Sequence, residues 1–125
     1  MNYWMGCGRL GSDIDLKYTP GGRAMARVLL AVDRYGKEGK KTTDWIRLVL
    51  WGRDAENAAR FTGKGGVVAV GGSIRAEFFE KETPDGKQSR LNPEIQVDRI
   101  DFVTSPPQRG NGQPQSQPQR AGKSA

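Results

Sequence analysis

The sequence predicts an all-β fold: a small five-stranded barrel with one short helix between its third and fourth strands. Three observations lead there. Apolar residues recur with a period of two, as in strands with one buried face. Glycine or Asp-Gly turn signals separate those runs. Only one stretch, near the middle of the chain, has helical periodicity.

The opening strand is expected from Tyr3 to Leu10. The second, Met25–Val32, and the third, Asp44–Trp51, carry the clearest alternation. Between them, Tyr35–Lys41 reads as the glycine-bearing tip of a long hairpin, with Lys37, Lys40 and Lys41 projecting from the body. Arg53–Thr62 is the helix: Ala55, Ala58, Ala59 and Phe61 or Thr62 form its apolar stripe, Asp54 is a candidate cap, and Gly63 stops it. Val67–Phe79 is the fourth strand, bending at Gly71-Gly72, where missing side chains let a small barrel turn a corner. The turn Thr83–Gly86 and a closing strand, Glu94–Val103, complete the domain. Five strands with a helix after the third is the order of the OB-fold, a partly open Greek-key barrel.

A chain of 125 residues suits one domain, expected to span residues 1–104. From Ser105 onward the sequence holds four of the seven prolines and no hydrophobic residue larger than alanine, so 105–125 is expected to be a disordered, Pro/Gln/Gly-rich basic tail. Twenty Lys and Arg against fourteen Asp and Glu give a formal charge of +6, which fits a polyanionic partner. With Cys7 as the single cysteine and no histidine, the chain can build neither an internal disulfide nor a Cys/His zinc site. No cofactor or metal is expected, and Cys7 is assigned to a buried strand position. Gly6, Gly8 and Arg9 stand where a signal peptide needs its apolar stretch, so a cytoplasmic compartment without membrane spans is expected.

The third strand carries the chemistry. Alternation puts Ile46, Leu48 and Leu50 on one face, toward the core, and Trp45, Arg47, Val49 and Trp51 on the other. Two outward indoles can form a platform on which unpaired bases stack, and Arg47 between them can neutralise a phosphate or lie over a ring. The alternative is that both tryptophans cover a subunit interface or lie beneath the Tyr35 loop. In the fourth strand, alternation is read as Phe79 outward with Arg75 and Phe78 inward with Ile74. Arg9, Lys17, Arg23, Arg27, Arg34, Lys37, Lys40, Lys41 and Lys81 extend the basic track.

These residues resemble the bacterial single-stranded DNA-binding protein family over nearly all of residues 2–103. Gly8-Arg-Leu-Gly-Ser-Asp13 and Lys17-Tyr-Thr-Pro-Gly21 are similar to its Gly-Arg-Leu-x-x-Asp-Pro-Glu-x-Arg-Tyr-Thr-Pro opening. Thr43–Gly52 with Ala55-Glu-Asn57 resembles its central strand and helix, Lys64–Arg75 its Lys-Gly-x-x-Val-x-Val-x-Gly-x-Leu stretch, and Val97–Phe102 its closing strand. The resemblance implies an OB-fold, commonly a homotetramer with a dimer as the alternative, that binds single-stranded DNA without sequence preference in replication, repair and recombination. It places Trp45, Trp51 and Phe79 where the family has base-stacking aromatics, and makes Tyr35 the candidate replacement for another stacking tryptophan. Gly6 stands where a large aliphatic is usual, Ile14 where Pro is, and Pro93 where Thr is. Pro93 lacks a donor, so an edge or a break is expected there.

Cellular members usually finish with an acidic tip, Asp-Ile-Pro-Phe, that recruits repair and replication proteins, whereas this chain has no acid after Asp101. Recruitment by that route is therefore not expected, and a phage- or plasmid-encoded member fits alongside a bacterial cytoplasmic or nucleoid one. The candidate single-stranded DNA-binding set is Trp45, Trp51, Phe79, Arg47, Arg75, Tyr35, Arg34, Arg9, Lys17, Lys41 and Lys81, with no catalytic residue. The rival readings are an RNA-binding OB module and a PriB-like replication-restart interaction protein.

Overall fold

The computed structural model describes residues 1–104; the expectation for the tail from Ser105 lies outside the described residues. The strands are β1 (Trp4–Leu10), β2 (Asp15–Tyr18), β3 (Ala24–Tyr35), β4 (Lys41–Trp51), β5 (Val67–Thr83) and β6 (Gly86–Phe102). A 3-10 turn, Lys37–Gly39, forms the tip of the β3–β4 hairpin, and helix α1 (Gly52–Phe61) joins β4 to β5. The sheet runs β1-β5-β6-β4-β3-β2, and β1 also pairs with β3 at Arg9 and Leu10. That contact closes β1, β5, β6, β4 and β3 into the predicted five-stranded barrel.

Two elements differ from expectation. β2 is an added strand of four residues, held along the edge of β3 from Ala24 to Arg27. It is too short to show a period, and the backbone of β3 supplies its register. β5 and β6 also run on past Phe79 and before Glu94, as a ladder extending to Thr83 opposite Gly86. This part of the hairpin projects beyond the barrel, so neither face needs an apolar repeat. The backbone ladder sets it, with an exposed Lys87–Glu80 ion pair at 3.7 Å and a bond from the Thr83 hydroxyl to the Gly86 carbonyl at the turn.

The core follows the alternation. Leu48 and Leu50 are fully buried with Leu30 and Val68, and Val28, Val70 and, from β6, Ile95 and Val97 complete the buried cluster. Ala55 and Ala58 of α1 close one end of the barrel, being small enough for the helix to lie close against it. Phe61 turns outward and meets the Phe102 ring instead, at 6.2 Å between centroids. Asp54 makes no capping bond, and Gly52, at φ 59°, lets β4 turn directly into the helix.

The bend at Gly71-Gly72 is a bulge. Gly71 pairs with Arg99 and Gly72 with Val97, leaving Asp98 as the extra residue. A Cβ at Gly72 would lie 2.1 Å from the Gln96 carbonyl oxygen. Pro93 sits without a break in β6 opposite Ala76, before the parallel pairing to β4 begins at Ile95. At that point the strand has one neighbour, so a residue without an N–H is accommodated. Gly6, in place of a large aliphatic, is matched by Trp4, whose ring occupies the space a Gly6 side chain would need. Cys7 is exposed on β1 rather than buried, because its pleat side faces away from the barrel. Among the described residues no helix is long and apolar enough to cross a membrane.

Candidate nucleic-acid interface

Register, rather than any one strand, assembles the outer face. Lys17 pairs with Met25 and Met25 with Trp51; Arg27 pairs with Val49, Leu29 with Arg47, Ala31 with Trp45 and Tyr35 with Lys41. Directly paired residues share a side of the sheet. Lys17, Trp51, Arg47, Trp45, Tyr35 and Lys41 therefore lie on one continuous surface. Arg9 joins it, since it pairs with Ala31 from the other edge.

Trp45 is 58% exposed. Its ring lies against Gly11, where an added Cβ would sit 2.7 Å from the indole, and its cross-strand neighbour is the small Ala31. Small neighbours beneath and solvent above leave a π-face open, so the indole does not lie under the Tyr35 loop. Trp51 is six residues along the strand, about 20 Å away, too far for one base to touch both indoles. Its Nε1–H donates to Gln96 Oε1 at 2.9 Å, which fixes the ring plane, and the Arg23 guanidinium lies 4.4 Å from its centroid. Such a cation–π contact is worth roughly 0.5–1 kcal/mol at an exposed site, less than the roughly 1–3 kcal/mol of a stacked base.

Two side-chain assignments change. Val49 has the outward pleat position but is fully buried. Arg27, its partner in β3, reaches across to Glu94 of β6 at 3.1 Å and spans the strand above it. Phe78 is not inward: it is 75% exposed against 47% for Phe79, because both lie on the projecting hairpin, which has no inside. Ile74, at the root of the hairpin, is exposed too.

Arg75 pairs with Glu94, Glu77 with Asn92 and Phe79 with Arg90, while Arg47 of β4 donates to the Asn92 side chain. Phe79 and Arg75 therefore share the face of Arg47, and Lys81 follows two residues beyond Phe79. Arg47, Arg75, Phe79, Glu77, Asn92 and Glu94, with Phe78, line an open groove of about 400 Å³. A second groove, about 180 Å³, lies between Trp4 and Trp45 at the barrel mouth and includes Ile46, Ile74 and Ile95. Sequence reasoning missed Asn92, Glu77, Glu94 and Trp4, since only the β5–β6 register and the packing of the first strand bring them here.

Carboxylates pre-position several cations. Asp33 meets Arg9 at 3.5 Å and Lys41 at 3.9 Å, and accepts a bond from Thr43. Lys17 pairs loosely with Asp15 at 3.6 Å. Arg34 stands apart: it occupies the other side of the β3–β4 arm and forms a two-pronged pair with Asp44, at 3.0 and 3.1 Å. The hydrogen bond from Arg34 holds the Asp44 carboxyl below its ordinary value, against a smaller opposing effect of desolvation. Among the described residues no group of three or more His, Cys, Asp or Glu could hold a metal ion.

Residues 1–103 match the Single-strand binding protein family. The chain is 38% identical to a Single-stranded DNA-binding protein of Clostridium tetani over 82% of its own length and 70% of that protein's. It is 39% identical to Single-stranded DNA-binding protein 3 of Clostridium acetobutylicum over 82% and 71%. It is 36% identical to Single-stranded DNA-binding protein A of Bacillus subtilis over 84% of its length and 59% of the relative's. With the family's pattern spanning the whole barrel and the hairpin that carries Phe79, the chain belongs to the single-strand binding protein family.

Proposed function

We propose that the chain binds single-stranded DNA without sequence preference and without catalysis, coating and protecting it during replication, repair and recombination. The observation that carries this reading is the open Trp45 ring on a surface shared with Arg47 and Arg9 and continued by Arg75 and Phe79. Bases stack on Trp45, Phe79 and Trp51, with Tyr35 extending the row on the arm. Phosphates are met by Arg9, Lys17, Arg47, Lys41, Arg75 and Lys81. Duplex DNA, with its bases already stacked, gains little from these rings. The unit that binds is residues 1–104, acting in the cytoplasm.

Assembly into a homotetramer is part of the proposal. β1 is paired with β5 from Trp4 to Arg9, but with β3 only at Arg9 and Leu10. The other edge from Trp4 to Gly8 thus has no strand partner among the described residues, and such an edge favours pairing with a second chain. Light scattering reads the mass in solution.

Titration with oligo-dT tests the binding. Tryptophan fluorescence is expected to be quenched, and affinity to fall with salt less steeply than for a binder relying on charge alone. Preference for a matched duplex would overturn the reading, and preference for a matched RNA would move it to RNA.

A further inference from the structure

We propose that Arg23 is a nucleic-acid-binding clasp: it covers Trp51 in the free protein and transfers to a phosphate when a base takes its place on the ring. The inference rests on the single-strand reading and gives one member of the basic track a defined role in it.

Its main chain is pinned. The Thr19 N–H donates to the Arg23 carbonyl at 2.9 Å, the Arg23 N–H donates to Thr19 Oγ1 at 3.1 Å, and the Gly22 N–H donates to the Thr19 carbonyl at 2.7 Å. This tight turn starts β3 just before Met25, the cross-strand partner of Trp51. The root of the side chain is thereby fixed beside the indole, and the indole is fixed in turn by its bond to Gln96. The guanidinium is the part free to move.

The cation also has donors to spare. Arg9, Arg27, Arg34 and Arg47 each give an ion pair or hydrogen bond to a side-chain oxygen. The Arg23 guanidinium forms neither among the described residues, and its contact is with the face of Trp51. A guanidinium carries five N–H donors in a fork that fits a phosphate, and here they are unmatched by protein acceptors. Lys17, opposite Met25, brings a second cation to the same end of the face. Base stacking outweighs the cation–π contact, so the exchange runs toward the base, and the displaced guanidinium lies within reach of that nucleotide's phosphate.

The test is binding of the full chain to labelled oligo-dT across a salt series, comparing the unaltered protein with Arg23→Ala and Arg23→Lys. Arg23 is an exposed turn residue, so both variants should fold, and their thermal unfolding checks this. Loss of one phosphate contact should lower the slope of log K against log salt by about 0.7 and weaken low-salt binding by about three- to tenfold in Arg23→Ala. Arg23→Lys should retain most of the slope. If Arg23 merely shields the ring, Arg23→Ala will bind more tightly with an unchanged slope, and the clasp is refuted. An unchanged affinity and slope refutes it as well, while binding by the unaltered chain leaves the single-strand reading standing. Failure of the unaltered chain to bind oligo-dT removes both.

Discussion

Replacing Trp45 with alanine removes an exposed indole at the centre of the proposed platform without touching a cation. The indole is 58% exposed and rests on Gly11 and Ala31, neither of which it needs for burial in the core. Its loss should therefore cost the fold about 1 kcal/mol or less. The stacked base it would lose is worth roughly 1–3 kcal/mol, which corresponds to about 5- to 150-fold in Kd. Because no ammonium or guanidinium leaves the face, the salt slope should stay where it is. Fluorescence anisotropy of labelled oligo-dT, at several salt concentrations, reads both quantities. Trp51→Ala should also weaken binding, and with about 20 Å between the rings the two effects should add within roughly 0.5 kcal/mol. The platform reasoning fails if Trp45→Ala binds within twofold of the unaltered chain. It fails equally if the loss comes entirely through a flatter salt slope.

Three further outcomes follow from the same geometry. Asp33→Asn should free Arg9 and Lys41 from the carboxylate they share, tightening low-salt binding by about three- to tenfold and steepening the slope; titration at two ionic strengths measures this. Leu48→Ala should destabilise the domain by about 2–5 kcal/mol in urea unfolding, since the side chain is fully buried between β3 and β6. Asp44 should titrate below the ordinary aspartate value of 3.8 in an NMR pH series, chiefly through its bond from Arg34, and rise toward it in Arg34→Ala. A carboxyl with a depressed folded value stabilises above its unfolded value. That contribution is lost as the pH falls through the folded one, so the Arg34–Asp44 arm should loosen only in acid.

Much of the fold was legible because its causes are local. The aliphatic face of Thr43–Trp51 needs only a period of two and a core to bury it, and Leu48 and Leu50 are buried as that requires. Gly71-Gly72 marked the bend as a pair without side chains, and the structure supplies the reason: a side chain at Gly72 would collide with the β6 backbone and one at Gly71 with the Tyr3 ring. Four features were hidden by comparison. β2 and the outer halves of β5 and β6 have too little apolar repeat to announce themselves. Phe78 seemed to need an inside, but the hairpin had already left the barrel. Arg34 looked like any other basic residue until the arm carried it to the side of Asp44.

What the sequence by itself determined is which side of each barrel strand a residue takes, because pleating follows from chain geometry. It therefore settled that Trp45, Arg47 and Trp51 point away from the core. Only the tertiary structure decided how open each one is. Exposure depends on residues tens of positions away that register brings alongside: Gly11 and Ala31 beneath Trp45, the Arg27–Glu94 bridge over Val49, and Arg23 across Trp51. Three outward positions on one strand became an open ring, a buried valine and a capped indole because different neighbours were folded onto them.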